Sequence, residues 1–369
     1  MERHRFLTLD TLRGVAALAV LEFHTSGFTG HQLFPHGYLA VDFFFMLSGF
    51  VITFAYQDKF NLELSTAEFL KIRLTRLYPL YFLGLILGFS LSILQYCIGR
   101  DHLSASSLGY LLALGLFLLP APSTLQAGGS SSFPFDIPTW SIFYELAANL
   151  LHSLFFRRRS WKFFVSIVLL SEAALLYSAN KLGTMDFGST RTEVVYGLSR
   201  VIFAYTVGIL VYLVWEKGRL RINVSPILLS ILLLAVLAVH TPARSSLTYD
   251  VLVTTCFFPI FLCVSASSVT SLRLTQVSRA LGLSSYAVYV LHVPIFLWVE
   301  RIWNSLRGHN SATAPWVGIV YFALAVLLAL LAHCYYDHHA RKILRNRLLP
   351  QVAAVTISNA RETTLQLPA

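Results

Sequence analysis

Charge is what this sequence has least of. Only 12% of its residues are Asp, Glu, Lys or Arg, against about 25% in ordinary soluble domains, while 56% are hydrophobic and the mean hydropathy is +0.65. Such a chain has too little polar surface for a soluble domain and reads as an integral membrane protein. Its apolar residues fall in many separate runs, not in the alternating stretches of about ten residues that barrel strands need. The expected fold is therefore all-α, a polytopic bundle of membrane helices. Cysteine is scarce as well: Cys97, Cys256, Cys263 and Cys334 lie in or beside apolar runs and form no Cys-x-x-Cys pair, which argues against a metal site or a disulfide framework. No Walker loop, dinucleotide fingerprint or metal-ligand cluster occurs, so neither a bound metal nor a permanently bound cofactor is expected. The net charge of +10 would suit nucleic acid, but its placement along the chain describes membrane topology instead.

Lys and Arg total 28, and most fall between alternate apolar runs. Arg3 and Arg5, the group Lys59, Lys71, Arg73 and Arg76, the cluster Arg157, Arg158, Arg159 and Lys162, and the basic residues from Arg341 to Arg347 all mark cytoplasmic loops by the positive-inside rule. The spans this gives begin with about 9–30, 38–56, 77–98, 140–156 and 163–179. They continue with about 196–215, 226–240, 248–268, 284–303 and 315–336. The expectation is thus about ten transmembrane helices in one domain over residues 1–350, with both termini cytoplasmic. Residues 108–120 are apolar but short, and a crossing there would put the 157–159 cluster outside, so they read as a re-entrant or peripheral outer segment. Residues 351–369 are polar and read as a disordered cytoplasmic tail.

The first apolar run, LDTLRGVAALAVLEFHTSGFTG, carries ionisable residues where a membrane makes them costly, which marks them as functional suspects. At roughly 100° per residue, the step from Arg13 to His24 is three turns plus about 20°, and Asp10 lies within about 40° of the same line. The three share one face, with Arg13 and His24 roughly 16 Å apart along the axis. Lipid could not cover that face, so it is expected to point into the bundle, toward a cavity, with Ala17 and Val20 leaving room beside it. Glu22 lies about 200° away from His24 and reads as a helix contact or local ion pair. Glu145 would sit more than one turn inside the fourth span, in PTWSIFYE, where a carboxylate must be paired or wet. Asp42 reads as interfacial, Ser48 and Gly49 as packing positions, Tyr286 and Tyr289 as packing residues, and His292 as either a polar group of the cavity or a structural histidine.

The spacing of Arg13 and His24 resembles the arginine, ten residues, histidine motif of acyltransferase family 3. Further segments match in the family's order: GYLAVDFFFMLSGF (37–50), RLTRLYPLYF (73–82), PTWSIFYELAANLL (138–151) and SYAVYVLHVPIF (285–296). Near the last span, where similar proteins often show Glu-x-Pro, this chain has YYDHHA (335–340), so no role is carried over to Asp337. Relatives that add a serine-hydrolase-like C-terminal domain are longer, and no such domain is expected here.

The resemblance implies a cell inner-membrane O-acyltransferase that moves an acyl group, usually acetyl, from cytoplasmic acyl-coenzyme A to a carbohydrate acceptor, a hydroxyl of a cell-surface or secreted glycan. A sugar hydroxyl is a poor nucleophile at neutral pH, and a neutral buried imidazole can take its proton as it attacks a thioester; His24 is the candidate general base. Arg13 can hold a coenzyme phosphate or polarise the donor, Asp10 can orient Arg13, and Glu145 can bind the acceptor or pair with a histidine. Arg73 and Arg76, three apart on one face, can bind coenzyme phosphates; topology alone accounts for them nearly as well. The rival from another class is a transporter or channel whose buried His24, Glu145 and Arg13 line a proton or substrate path.

Overall fold

The structure, a computed structural model, describes residues 6–61, 64–100, 103–124, 129–156, 159–218, 222, 224–268, 274–307 and 315–349. The expected tail at 351–369 and the basic residues Arg3, Arg5, Arg157 and Arg158 lie outside the described residues. The helices in order are α1 (Leu7–Thr29), α2 (Ala40–Asn61), α3 (Thr66–Cys97), α4 (Ala105–Leu116), α5 (Thr139–Leu151), α6 (Trp161–Leu182) and α7 (Val194–Gly218). They continue as α8 (Pro226–Leu237), α9 (Ala243–Leu252), α10 (Phe258–Ser267), α11 (Thr275–Arg307), α12 (Pro315–Leu331) and α13 (His338–Leu348). No strand occurs among the described residues, only two isolated bridges. Short π-helical turns extend α5 and join α9 to α10 and α12 to α13.

Each of the ten expected spans falls on helix. Among the described residues, seven helical stretches are long and apolar enough to cross a membrane: Gly37–Phe60, α3, α6, α7, Ala243–Ser267, Thr275–Leu306 and Pro315–Leu348. The helix α8 has 12 residues, and so does α4; at 1.5 Å per residue each is about 18 Å long, short of a hydrocarbon core of about 30 Å. The third helix starts at Thr66, eleven residues before the expected span, because Ser65 and Glu68 form a reciprocal capping box. That extra length carries Arg73 and Arg76 on a rigid helix instead of a loop. At the far end of α1, Gly30 adopts a left-handed φ of 73° and donates its N–H to the Ser26 carbonyl, ending the helix sharply.

The centre of the bundle is built from α1, α2, α7 and α11. In α2, α7 and α11, 67% of the most apolar stretch is buried inside the protein, against 28% for α6 and for the α12–α13 rod, whose remaining apolar faces are left for lipid. Two close helix pairs organise this centre. The first is α2 with α7, where a Cβ on Gly49 would lie 2.0 Å from the Tyr205 carbonyl oxygen and a Cβ on Gly208 2.0 Å from that of Met46. Small residues allow this approach, and in a membrane close packing is what drives helices together. The second is α1 with α11, the most extensive pairing in the protein. Gly282 makes room there for Asp10, whose Cβ would be 2.6 Å from an added Cβ.

Candidate active site

The polar face of α1 is the face that packs on α11. Arg13 donates from Nε to Ser285 Oγ at 2.9 Å, and from Nη2 to the Gly282 carbonyl and to Asp10 Oδ1. Asp10 Oδ1 lies 3.3 Å from Arg13 Nη2, an ion pair one turn apart on the helix. Eleven residues further along the same face, His24 meets His292 of α11, their ring centroids 4.8 Å apart and edge to face.

A cavity of about 410 Å³ opens at the Arg13 end, within the range of small-molecule sites. Asp10, Arg13, Arg73, Arg76 and Glu145 all line it, together with Ser48, Ser141, Ser285, Tyr286 and Tyr289. Five of the six residues singled out as catalytic or donor-binding are thereby brought together from α1, α3 and α5. The sixth, His24, is absent from the lining, which departs from the expectation that one cavity runs along the whole polar face. Ala17 and Val20, beside that line, are buried in the core. Phe44 and Tyr289 are both in the lining; their rings meet at 5.5 Å, and the Tyr289 hydroxyl and Ser141 Oγ are hydrogen-bonded at 2.7 Å. His292 stands one helical turn beyond Tyr289.

The charges of the cavity do not cancel. Glu145 accepts from Arg73 Nη2 and from Ser48 Oγ, so it pairs with an arginine and not with a histidine. Asp10 offsets Arg13. Arg76 is open to the cavity and has no hydrogen-bond or ion-pair partner among the described residues, and its charged neighbours include the guanidinium groups of Arg73, Arg13 and Arg341. Three arginines against two carboxylates leave the lining with a net charge of about +1, an anion-attracting concavity.

At the His24 end the ionic groups are satisfied internally. Arg200 is fully buried; it donates to both carboxylate oxygens of Asp42 at 2.7 and 2.8 Å and to the Phe187 and Tyr38 carbonyls, between the rings of Trp140 and Phe187. Asp42 is therefore a core residue and not an interfacial one, because Arg200 brings it a bidentate partner that water would otherwise supply. Glu22 accepts from the backbone N–H groups of Leu33 and Phe34, fixing the connection after α1, and makes no ion pair among the described residues. Asp250 holds His36 and the Tyr38 hydroxyl, each at 2.6 Å. Asp186, in the connection between α6 and α7, is within electrostatic reach of both His24 and Arg200. Nothing in the sequence pattern pointed to it.

Other expectations resolve simply. Ser48 joins the cavity, while Gly49 serves close packing. Tyr286 and Tyr289 line the cavity as well as packing, with the Tyr286 hydroxyl donating to the Leu77 carbonyl. Asp337 is buried and held by His333 and Arg341, a local tie at the start of α13. All four cysteines are free, and no group of three or more metal-ligating side chains gathers among the described residues.

An all-helical bundle with several spans of membrane length, a charged internal cavity and a buried histidine pair is that of a multi-pass membrane protein. Comparison with known proteins gives the family. The chain belongs to acyltransferase family 3, whose acyltransferase-domain model matches residues 6–334. It is 37% identical over 184 residues to protein 2 in the picA locus of Rhizobium radiobacter, covering 47% of this chain and 95% of that protein. It is 25% identical over 345 residues to the putative peptidoglycan O-acetyltransferase YrhL of Bacillus subtilis, covering 84% of this chain and about half, 52%, of that protein. To the acyltransferase MdmB of Streptomyces mycarofaciens it is 25% identical over 385 residues, covering 93% of each. No solved structure matches. The chain is thus an enzyme, an acyltransferase, with O-acetyltransferases among its relatives.

Proposed function

We propose that the protein is an inner-membrane O-acyltransferase that moves an acyl group, acetyl first among the candidates, from cytoplasmic acyl-coenzyme A to a hydroxyl of a cell-surface or secreted glycan. The observation that carries this reading is the cavity at the Arg13 end with its unpaired Arg76. Acyl-coenzyme A has anionic phosphates at one end and a thioester at the other. Arg76 offers the phosphates an uncompensated guanidinium, and Arg13, held by Asp10 and Ser285, offers a second whose direction is fixed. Arg73 is committed to Glu145, so its part is to hold that carboxylate in the wall, and the donor-binding role narrows to Arg76 and Arg13.

The thioester must then travel inward. His24 lies about 16 Å along α1 from Arg13, past Phe44 and Tyr289, and an extended pantetheine arm entering the cavity reaches it when those two side chains part. His24 Nδ1 lies 2.9 Å from the Val20 carbonyl. A carbonyl only accepts, so the proton sits on Nδ1 and Nε2 keeps its lone pair, the form a general base needs. The acceptor hydroxyl gives its proton to Nε2 as its oxygen attacks the thioester carbonyl, and the coenzyme leaves as the thiol.

The test is transfer of label from radiolabelled acetyl-coenzyme A to extracted cell-surface glycan by purified protein in lipid vesicles. Wild type transfers label, and His24→Ala loses about 10²-fold to 10⁴-fold of the rate while still binding coenzyme. Equal transfer by both removes His24 from the chemistry. Coenzyme binding without transfer places the error in the acyl group or the acceptor, and no binding at all returns the cavity to a transport role.

A further inference from the structure

His292 is buried at 1% exposure, and its Nε2 has no hydrogen-bond partner among the described residues. A buried polar atom left unpaired needs a reason. Its Nδ1 is committed to the backbone, lying 2.6 Å from the Tyr289 carbonyl and 3.2 Å from that of Val288. As in His24, the proton is therefore on Nδ1 and the lone pair on Nε2. Two imidazoles from different helices thus stand ring to ring, each with its donor nitrogen tied to its own helix and each offering Nε2 as an acceptor. In the resting protein neither can donate to the other through Nε2. One added proton changes that.

We propose that His24 and His292 form a proton-sharing pair, in which the proton that His24 takes from the acceptor hydroxyl is held between the two Nε2 atoms. The idea rests on the acyl-transfer reading above and assigns a further catalytic residue to it. As the hydroxyl oxygen forms its bond to the thioester carbon, the O–H proton passes to His24 Nε2. The new N–H is then shared with the unpaired Nε2 of His292. When the C–S bond breaks, the departing sulfur takes the proton back, and both rings return to the neutral state. No other reactant is needed.

The surroundings suit a single positive charge and not two. Asp186 is the carboxylate within reach of His24, from the connection between α6 and α7. Around His292 the facing groups are uncharged: the Tyr289 ring at 6.0 Å and the Tyr321 hydroxyl, which donates to the His292 carbonyl at 3.0 Å. Phe23 lies against the remaining side of His24. One shared proton faces one carboxylate.

The experiment is ¹⁵N NMR of histidine-labelled protein in lipid nanodiscs, without donor or acceptor, followed as the sample is acidified. His24→Gln and His292→Gln serve to assign the two Nε2 resonances. In the wild type the two resonances are expected to move together in one step, with a proton count of one for the pair. A His292 resonance that stays fixed while His24 titrates overturns the proposal, as do two separate full protonations. In the transfer assay His292→Gln is expected to lose about 10-fold to 100-fold of the rate with coenzyme binding unchanged; undiminished transfer also overturns it. A joint step in the NMR with no transfer by the wild type supports the pair and counts against the acyltransferase substrate reading instead, so the two failures are told apart.

Discussion

The two ends of the bundle treat buried charge in opposite ways. At the Arg13 end, charges line a cavity of about 410 Å³, are incompletely paired and leave Arg76 open. At the His24 end, Asp42 and Arg200 close on each other in a site with no exposure at all, and Asp250 and Glu22 spend their oxygens on the chain's own donors. Unpaired charge in a concavity is available for a ligand, whereas a fully paired network holds shape. On the proposed reading, binding falls to one end and framework to the other, with the histidine pair between them.

The most severe way to break the comparison is to unpair the closed end. Asp42→Asn strands the Arg200 guanidinium in the core, and loss of one partner of a buried pair costs about 3–5 kcal/mol. Thermal unfolding in detergent should show a large drop or no folded protein. Next comes the α2–α7 contact, where Gly208→Ala forces a methyl against the Met46 carbonyl. Overpacking of this kind costs about 1–3 kcal/mol, and the same unfolding assay reads it. Arg76→Ala sharpens the comparison from the other side. Because Arg76 has no partner, stability should change by less than about 0.5 kcal/mol, while coenzyme affinity falls about tenfold, some 1.4 kcal/mol.

A separate test concerns pH. Asp136, in the connection before α5, is buried; among the described residues only Thr139 donates to its carboxyl and Oδ1 has no partner, and burial pushes its carboxyl up to about 8. Its unfolded value is about 3.9. Between these the unfolded chain releases a proton that the folded protein keeps, so this group's contribution is best below about pH 4 and worsens as pH rises to about 8. Asp136→Asn should flatten the pH dependence of the unfolding midpoint across that window; an unchanged profile would show that the carboxyl ionises freely in the fold.

Much of this was legible in the sequence because membranes make polar residues conspicuous. The shared face of Asp10, Arg13 and His24 follows from helical angles alone, and that face is the one that meets α11. The positions of Arg73, Arg76 and Glu145 around one cavity fit the ordered family segments. What angles within one helix cannot show is how a neighbouring helix fills the space. Tyr289 lines the cavity, from which His24 is absent, and in the sequence it read as an ordinary packing residue. Pairing across long separations was equally hidden: Asp42 and Arg200 are 158 positions apart, and Asp42 alone read as interfacial. Asp186 sits in a connection without periodicity, so no pattern marked it.

The division of labour between the two ends is tested most directly by equilibrium binding of acetyl-coenzyme A to wild type, Arg76→Ala and His24→Ala in lipid nanodiscs. The account predicts that Arg76→Ala weakens binding about tenfold and that His24→Ala binds as the wild type does. Loss of binding in His24→Ala with full binding in Arg76→Ala would contradict it, because the donor would then be held at the histidine end and the arginine-lined cavity would serve something else.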